Sequence, residues 1–199
     1  MGGGSSKEKQ MRKDIRSLRS CTHFTMEELA GLMEQFNSIS SRREDDGLID
    51  KREFKDALGL QDSLFVDRIF RLFDQDGNGV IDFKEFVKGL NVFAQTASQE
   101  EKLRFSFAIY DFDGNGYISQ EELYRLLEAS LFENDLSLSE EQLYELVEAT
   151  FAEVDEDRDG SIGFEDYKKL CQRFPSIISS MTITAPILSG VSERLQKKN

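Results

Sequence analysis

Apolar residues recur along this chain at intervals of three and four, the spacing that puts them on one face of an α-helix. Leu29, Leu32, Met33 and Phe36 form one such stripe, and Thr25 with Glu28 spells the capping box that starts it. The same reading gives a short helix from Lys51 to Leu58, a helix carrying Val66, Ile69, Phe70 and Phe73, and another carrying Phe83, Phe86, Leu90 and Phe93. Ser98 and Glu101 spell a second box ahead of Leu103, Phe107 and Tyr110, and Leu123, Leu126, Leu127 and Leu131 line the helix that follows. Glu133–Leu138 reads as a linker. Ser139 and Gln142 then cap a helix with Leu143, Leu146, Val147 and Phe151 inward, and Phe164, Tyr167 and Leu170 line the last one. Everything predicted is helix except a few residues between helices. The pattern predicts an all-α fold.

Three of the gaps between helices carry one repeated motif: DQDGNGVIDFKE at Asp74–Glu85, DFDGNGYISQEE at Asp111–Glu122 and DEDRDGSIGFED at Asp155–Asp166. Each has oxygen side chains at its first, third and fifth positions, Gly at the sixth, an apolar residue at the eighth and a carboxylate at the twelfth. That is the pattern of the EF-hand loop, which wraps a hard cation in about six to eight oxygens. In the first motif Asp74, Asp76 and Asn78 supply side-chain oxygens, Val80 its carbonyl, Asp82 a direct or water-mediated contact, and Glu85 both carboxylate oxygens. Asp111, Asp113, Asn115, Tyr117, Ser119 and Glu122 repeat the scheme with one acid fewer. The third motif offers Asp155, Asp157, Asp159, the carbonyl of Ser161, a water near Gly163, and Asp166. Asp166 is one methylene shorter than Glu, so closure with both oxygens is harder to reach; the site reads either as one suited to the smaller Mg²⁺ or as a weaker Ca²⁺ site.

EF-hands pair through short strands at loop positions seven to nine. Residues 117–119 can pair with 161–163, so Val80–Asp82 requires a partner loop upstream. Gly47–Asp50 with Glu53 fits the second half of one, but Arg42 falls where a twelve-residue loop wants its first Asp. Either this hand is dead and survives as a structural strand, or its loop is longer, starts near Ser40, and binds through backbone carbonyls with Asp50 and Glu53. Spacing alone favours the dead site. The expected architecture is four EF-hands in two paired lobes, with short β-pairs between loops. Residues 1–24 form a basic N-terminal segment, 25–95 the first pair, 96–173 the second, and 174–199 a tail.

The composition agrees. A chain of 199 residues has room for two such lobes, and 38 acidic against 25 basic residues give a net charge of −13. Much of that acidity is ligand carboxylate, and it argues against nucleic acid as a partner. Two cysteines, Cys21 and Cys171, imply no disulfide framework and suit a reduced cytosolic setting. No apolar run approaches the roughly 20 residues of a membrane span. The single histidine, His23, and the absence of any acid–base or nucleophile constellation argue against an enzyme.

From Phe36 to Met181 the chain resembles the calcineurin B-like calcium sensors of plants and some protists, relatives of the calcineurin regulatory subunit. The matching stretches are Ile39–Ser41, Asp45–Ile49, Asp67–Phe70, Val80–Phe83, Leu90–Phe93 and Pro175–Ser176. That resemblance implies a first hand with a 14-residue loop, mapping onto Ser40–Glu53, and so a live first site. It also implies regulation of a Ser/Thr protein kinase by capture of an amphipathic helical segment in an apolar groove. Leu103–Phe107 and Gly116–Ser119 look as much like the calcineurin regulatory subunit itself, which would make the partner a phosphatase. Where that family often ends in Phe-Pro-Ser-Phe, this chain has Phe174 to Ile177 further upstream and finishes on Lys197–Asn199. A calcium buffer, with tight sites and no groove, is the rival class.

The start of the chain fits the N-myristoylation pattern, with Gly2 exposed after Met removal and Ser6 in place. Its alternative is a flexible Gly/Ser leader. Lys7, Lys9, Arg12, Lys13, Arg16 and Arg19 follow, and read either as a second, electrostatic membrane signal or as a solvated helix face. The expectation is a cytoplasmic protein with peripheral membrane association. At the other end, Ile177, Ile178, Met181, Ile183, Ile187, Leu188 and Val191 leave two readings open: a segment that covers the groove, or plain disorder.

Overall fold

The computed structural model describes residues 6–42, 46–58, 64–133 and 136–174. Gly2, residues 43–45 of the first loop, and the tail after Phe174 lie outside them. Helices dominate, as the periodicity predicts: α1 (Ser6–Arg19), α2 (Met26–Ser40), α3 (Lys51–Leu58), α4 (Leu64–Phe73), α5 (Phe83–Leu90), α6 (Gln99–Tyr110), α7 (Gln120–Glu133), α8 (Glu140–Val154) and α9 (Phe164–Arg173). Two strands, β1 (Ile49–Asp50) and β2 (Val80–Ile81), form the one small sheet among the described residues. The capping boxes read at Thr25 and Ser139 form. Thr25 N donates to Glu28 Oε2 at 2.7 Å while Glu28 N donates back to Thr25 Oγ1 at 3.2 Å. Ser139 and Gln142 repeat the exchange at the start of α8.

The chain divides into two compact units. The first takes in the described residues up to Leu58 together with Ile69–Ser98. Its core is aromatic: Phe36 packs against Phe83 and Phe86 with ring centroids 5.6 and 5.5 Å apart, and Phe54 against Phe70 and Phe73 at 5.6 and 5.1 Å. Such pairs add about 0.5–1.5 kcal/mol each beyond the area they bury. Gly89 lets α5 meet Phe73, because a Cβ built there would stand 2.4 Å from the Phe73 ring. Beneath the loops, β1 and β2 pair antiparallel with Ile49 opposite Ile81 and Asp50 opposite Val80. Ile49 and Ile81 are both fully buried, so the pleat directs them into the core.

The basic N-terminal segment is folded into this unit. α1 buries Ile15 and Leu18 against α2 and α5, and Asp14 forms an ion pair with Lys84 at 3.1 Å. Lys13, Arg16 and Arg19 remain exposed. At the other edge α5 ends at Leu90 and not at Phe93. A 3-10 turn at Asn91–Phe93 follows, with Val92 buried and Phe93 only half-buried.

The second unit comprises Gln99 onward, with residues 64–68. Leu103, Phe107, Ile118, Leu123, Val147 and Phe151 are central to its core. Ile118 and Ile162 exchange two backbone hydrogen bonds of 2.9 Å, a single bridge where the first unit has a ladder. Hydroxyls enter this core as a pair, for the buried Ser106 hydroxyl hydrogen-bonds Tyr167. Burial pushes the phenols of Tyr167 and Tyr110 and the thiol of Cys171 above their ordinary ranges. The expected stripe on α8 needs one correction. Leu143, Val147, Phe151 and Val154 are buried at i, i+4, i+8 and i+11, which turns Leu146 to the flank, where it is 39% exposed.

Candidate metal centres

Each loop is built by its carboxylates folding the backbone around them. In Asp74–Glu85, Asp74 accepts from the amides of Asn78 (3.1 Å) and Gly79 (2.9 Å), Asp76 from Asn78 (3.0 Å), and Asn78 Oδ1 from Val80 (2.9 Å). Gly79 has φ +87°, a conformation that only glycine adopts without strain. The ring is closed from the far side by Glu85. One of its oxygens accepts from Asp82 N at 3.0 Å; the other accepts from Gln75 N and Asp76 N at 2.9 and 3.2 Å. Asp82 in turn caps α5 by accepting from Glu85 N. Glu85 is thus a capping-box residue and a clasp across the loop, and it is only 7% exposed.

Asp111–Glu122 repeats this geometry. Asp111 accepts from Asn115 and Gly116, Asp113 from Asn115, and Asn115 from Tyr117. Glu122, also 7% exposed, accepts from Ser119 N with one oxygen and from Phe112 N and Asp113 N with the other. The carboxylate oxygens of Asp74, Asp76 and Glu85 lie within 4.8 Å of one another, and so do those of Asp111, Asp113 and Glu122. Oxygen-only donors gathered this closely, their like charges set against one another in mutual repulsion, fit a hard divalent cation. When bound, the ion supplies the positive charge that offsets that repulsion.

Asp155–Asp166 folds its first half the same way. Asp155 accepts from Asp159 N and Gly160 N, and Asp159 from Ser161 N and Ser161 Oγ. The clustering carboxylates here are Asp155, Asp157 and Asp159, and Asp166 is outside the group. Its Oδ2 accepts from Gly163 N at 3.1 Å and bonds to nothing in the first half of the loop. A different tie spans this loop. Glu156, at its second position, is held by Lys169 and Arg173 of α9, each at 2.7 Å. The Lys169 ammonium, through its hydrogen bond and then its charge, holds the Glu156 carboxyl below the usual range. Asp157 moves the other way. The Asp159 amide favours its charged form, but partial desolvation and the carboxylates of Asp159 and Asp166 outweigh that amide and hold it above the ordinary value. At the fourth position Gly77 and Gly114 are replaced by Arg158, at φ +59°.

In the first hand the second half is present. Glu53 N donates to Asp50 Oδ1 at 2.7 Å and Asp50 N to Glu53 Oε2 at 3.2 Å, the same closing box as in the second and third hands. Glu53 is 3% exposed, and Gly47 has φ +79° where the other loops have their sixth-position glycine. Ser40 is buried at the end of α2, its hydroxyl directed to Asn37 O. Among the described residues no three carboxylates converge there.

Among the described residues, each carboxylate of the three clusters therefore stands at a motif position. What the motif missed is the Glu156–Lys169–Arg173 tie and the stacking of Arg104 over the Phe164 ring at 4.2 Å. The tie's sequence signal is opposite charge at separations of 13 and 17, which no short motif encodes, and the stacked pair lies further apart still.

Among the described residues no helix is long and apolar enough to cross a membrane. Residues 100–172 match the family model for an EF-hand domain pair, and residues 65–93 match that for an EF hand domain. The calcineurin B subunit of Schizosaccharomyces pombe is 39% identical over 169 residues, covering 85% of this chain and 94% of that protein. The calcineurin B subunit of Naegleria gruberi is 35% identical, over 79% of this chain and 86% of its own length. The type 2 calcineurin B subunit of Bos taurus is 36% identical, over 74% and 84%.

Proposed function

The chain belongs to the calcineurin B family of calcium-binding EF-hand regulatory proteins, and from that membership we propose that it is the calcium-responsive regulatory subunit of a Ser/Thr phosphatase of the calcineurin type. The observation that carries this reading is the match over nearly the full length of proteins named as one subunit of calcineurin, joined to carboxylate clusters at the expected loop positions. In this reading Asp74, Asp76, Asn78, the Val80 carbonyl, Asp82 and Glu85 hold one Ca²⁺. Asp111, Asp113, Asn115, the Tyr117 carbonyl, Ser119 and Glu122 hold another, both in the sensor range of about 10⁻⁷–10⁻⁵ M. Asp155, Asp157, Asp159, Ser161 and Asp166 form a further cation site. Ser40, through its carbonyl, with Asp50 and Glu53, forms the first.

The partner segment is an amphipathic helix. Support for an apolar docking surface comes from the second unit, where Leu136, Leu138, Tyr144 and Leu146 are exposed among α7, α8 and the segment between them. The deciding measurement is the Ca²⁺ affinity of the full chain with and without two synthetic helices, one from a calcineurin-type catalytic subunit and one from a kinase regulatory segment. Linkage requires that a true target tighten Ca²⁺ binding by the factor with which Ca²⁺ tightens the target. A severalfold shift with the phosphatase helix is expected. A shift with the kinase segment alone moves the protein to the kinase-regulating sensors, and a shift with neither, alongside sites saturated by Mg²⁺, makes it a buffer.

The same reading gives α1 a lipid surface to face, with Gly2 acylated as the second signal. Lys13, Arg16 and Arg19, exposed on a helix whose Ile15 and Leu18 are buried, support it. Gly2→Ala should shift the protein from membrane to cytosolic fractions; an unchanged distribution would remove this part of the reading.

A further inference from the structure

We propose that the fourth hand, Asp155–Asp166, is a Mg²⁺-preferring site, and that the calcium response is confined to the other hands. The inference rests on the reading of this chain as a cation-responsive EF-hand regulator.

The twelfth position sets this hand apart from the second and third. A loop that takes Ca²⁺ supplies about six to eight oxygens, and where it exceeds an octahedron a bidentate Glu at that position is the usual source of the extra one. Glu85 and Glu122 reach across their loops, with one oxygen on the amides of the second and third positions. Asp166 does not. It is 8% exposed, with Oδ2 on Gly163 N, and its other oxygen accepts no hydrogen bond from the described residues. It lines the same cleft as Asp157 and Asp159 but stands outside the group those two form with Asp155, so it is placed to give a cation there a single oxygen at most. The ninth position narrows the donor set further. Asp82 and Ser119 have side-chain oxygens there, whereas Gly163 has none, which leaves that place to water. Three Asp side chains, the Ser161 carbonyl, one oxygen of Asp166 and a water make an octahedral set. Mg²⁺ demands that number, keeps part of its hydration shell, and prefers single oxygens at about 2.0–2.1 Å.

The remaining ties of this hand fit a permanently filled site. Lys169 and Arg173 of α9 already hold Glu156, so the loop and its exiting helix are joined independently of the twelfth residue. Filling the site then steadies the junction of α8 and α9 and leaves the signal to Asp74–Glu85 and Asp111–Glu122.

The test uses the full chain, stripped of metal, with amide NMR of Gly79, Gly116 and Gly160 as separate reporters of the three loops. Titration with Mg²⁺ alone should move Gly160 and leave Gly79 and Gly116 in place. Subsequent Ca²⁺ should move Gly79 and Gly116 first and displace Mg²⁺ from the Gly160 loop only at an excess of about tenfold or more. Asp166→Glu should invert that order at Gly160 alone. If Gly160 responds to Ca²⁺ as readily as Gly116 does and Mg²⁺ moves none of the three, the inference is overturned while the calcium-binding reading stands. It is likewise overturned if Gly160 responds to neither ion. If all three reporters ignore Ca²⁺, the underlying reading falls with it.

Discussion

The two units use one loop design over two different foundations. In the first unit the side chains beneath the loops are large and sealed. Of the largest fully buried residues, Phe54, Phe86, Leu29, Leu32, Ile39, Ile49, Ile81 and Leu90 belong to it, while Ile109 represents the second. The second unit instead buries a hydroxyl pair and leaves Leu136, Leu138, Tyr144 and Leu146 in contact with solvent. The loops above are joined by a two-residue ladder in one unit and a single bridge in the other. A cation loop therefore does not dictate how tightly its hand closes. The packing below decides that, and the looser unit is the better candidate to change shape.

Substitutions that act on one side of this comparison test it. The largest effect should come from Phe54→Ala, which removes a ring wedged between Phe70 and Phe73 and should destabilise the first unit by about 3–5 kcal/mol in denaturant unfolding. Leu146→Ala in the second should stay within about 0.5 kcal/mol. Equal losses would erase the distinction between a sealed and an open unit. Next, Glu85→Gln or Glu122→Gln should weaken Ca²⁺ binding at its own loop by about 2–3 kcal/mol, because each removes a charged group that both spans the loop and caps the helix. Calorimetric stoichiometry falling by one site is the expected readout, and Glu53→Gln asks the same of the first hand. Gly89→Ala places a methyl against Phe73 and should force α4 and α5 apart at a cost of about 1–3 kcal/mol. Dye binding to newly exposed apolar surface should rise with it, and a silent result would mean that Phe73 has room to turn. Apart from the near-silent Leu146→Ala, the smallest effect should come from Arg158→Gly. Relief of a left-handed non-glycine residue outweighs the added freedom of the unfolded chain, for a gain of up to about 1 kcal/mol in the melting of the second unit.

Much of this was legible in advance, for physical reasons that differ by feature. The loops are legible because cation chemistry needs particular atoms at particular offsets, so Asp74, Asp76 and Glu85 had few other meanings. The helices were legible because their stripes are long and their boxes at Thr25 and Ser139 are local. The packing of α1 was not, since its three apolar residues, Met11, Ile15 and Leu18, sit among six basic ones, and the elements that α1 packs against, α2 and α5, are distant in sequence from one another. The exposure of Leu146 escaped as well. A stripe of period 3.6 admits either neighbour at its margin, and tertiary contact selects one. The state of the first hand resisted because its second half is ordinary and its first half lacks the acidic pattern, while ligation by backbone carbonyls would leave no mark in side-chain identity.

The register of β1 against β2 has a consequence for how these loops tolerate change in length. Side chains in a strand alternate, so a shift of one residue would turn Ile49 out of the core and Asp50 into it. Insertions between Ile49 and Glu53 would also break the Asp50–Glu53 box. Both constraints lie downstream of Gly47, and no such constraint from the ladder applies before it. The first hand can thus carry a loop two residues longer than its partner's, over Ser40–Glu53, with all the surplus taken up on the α2 side. The ladder acts as a datum from which the rest of the pair is measured. Engineered insertions at Ser41–Arg42 should be absorbed there, whereas one placed after Ile49 should cost the hand its fold.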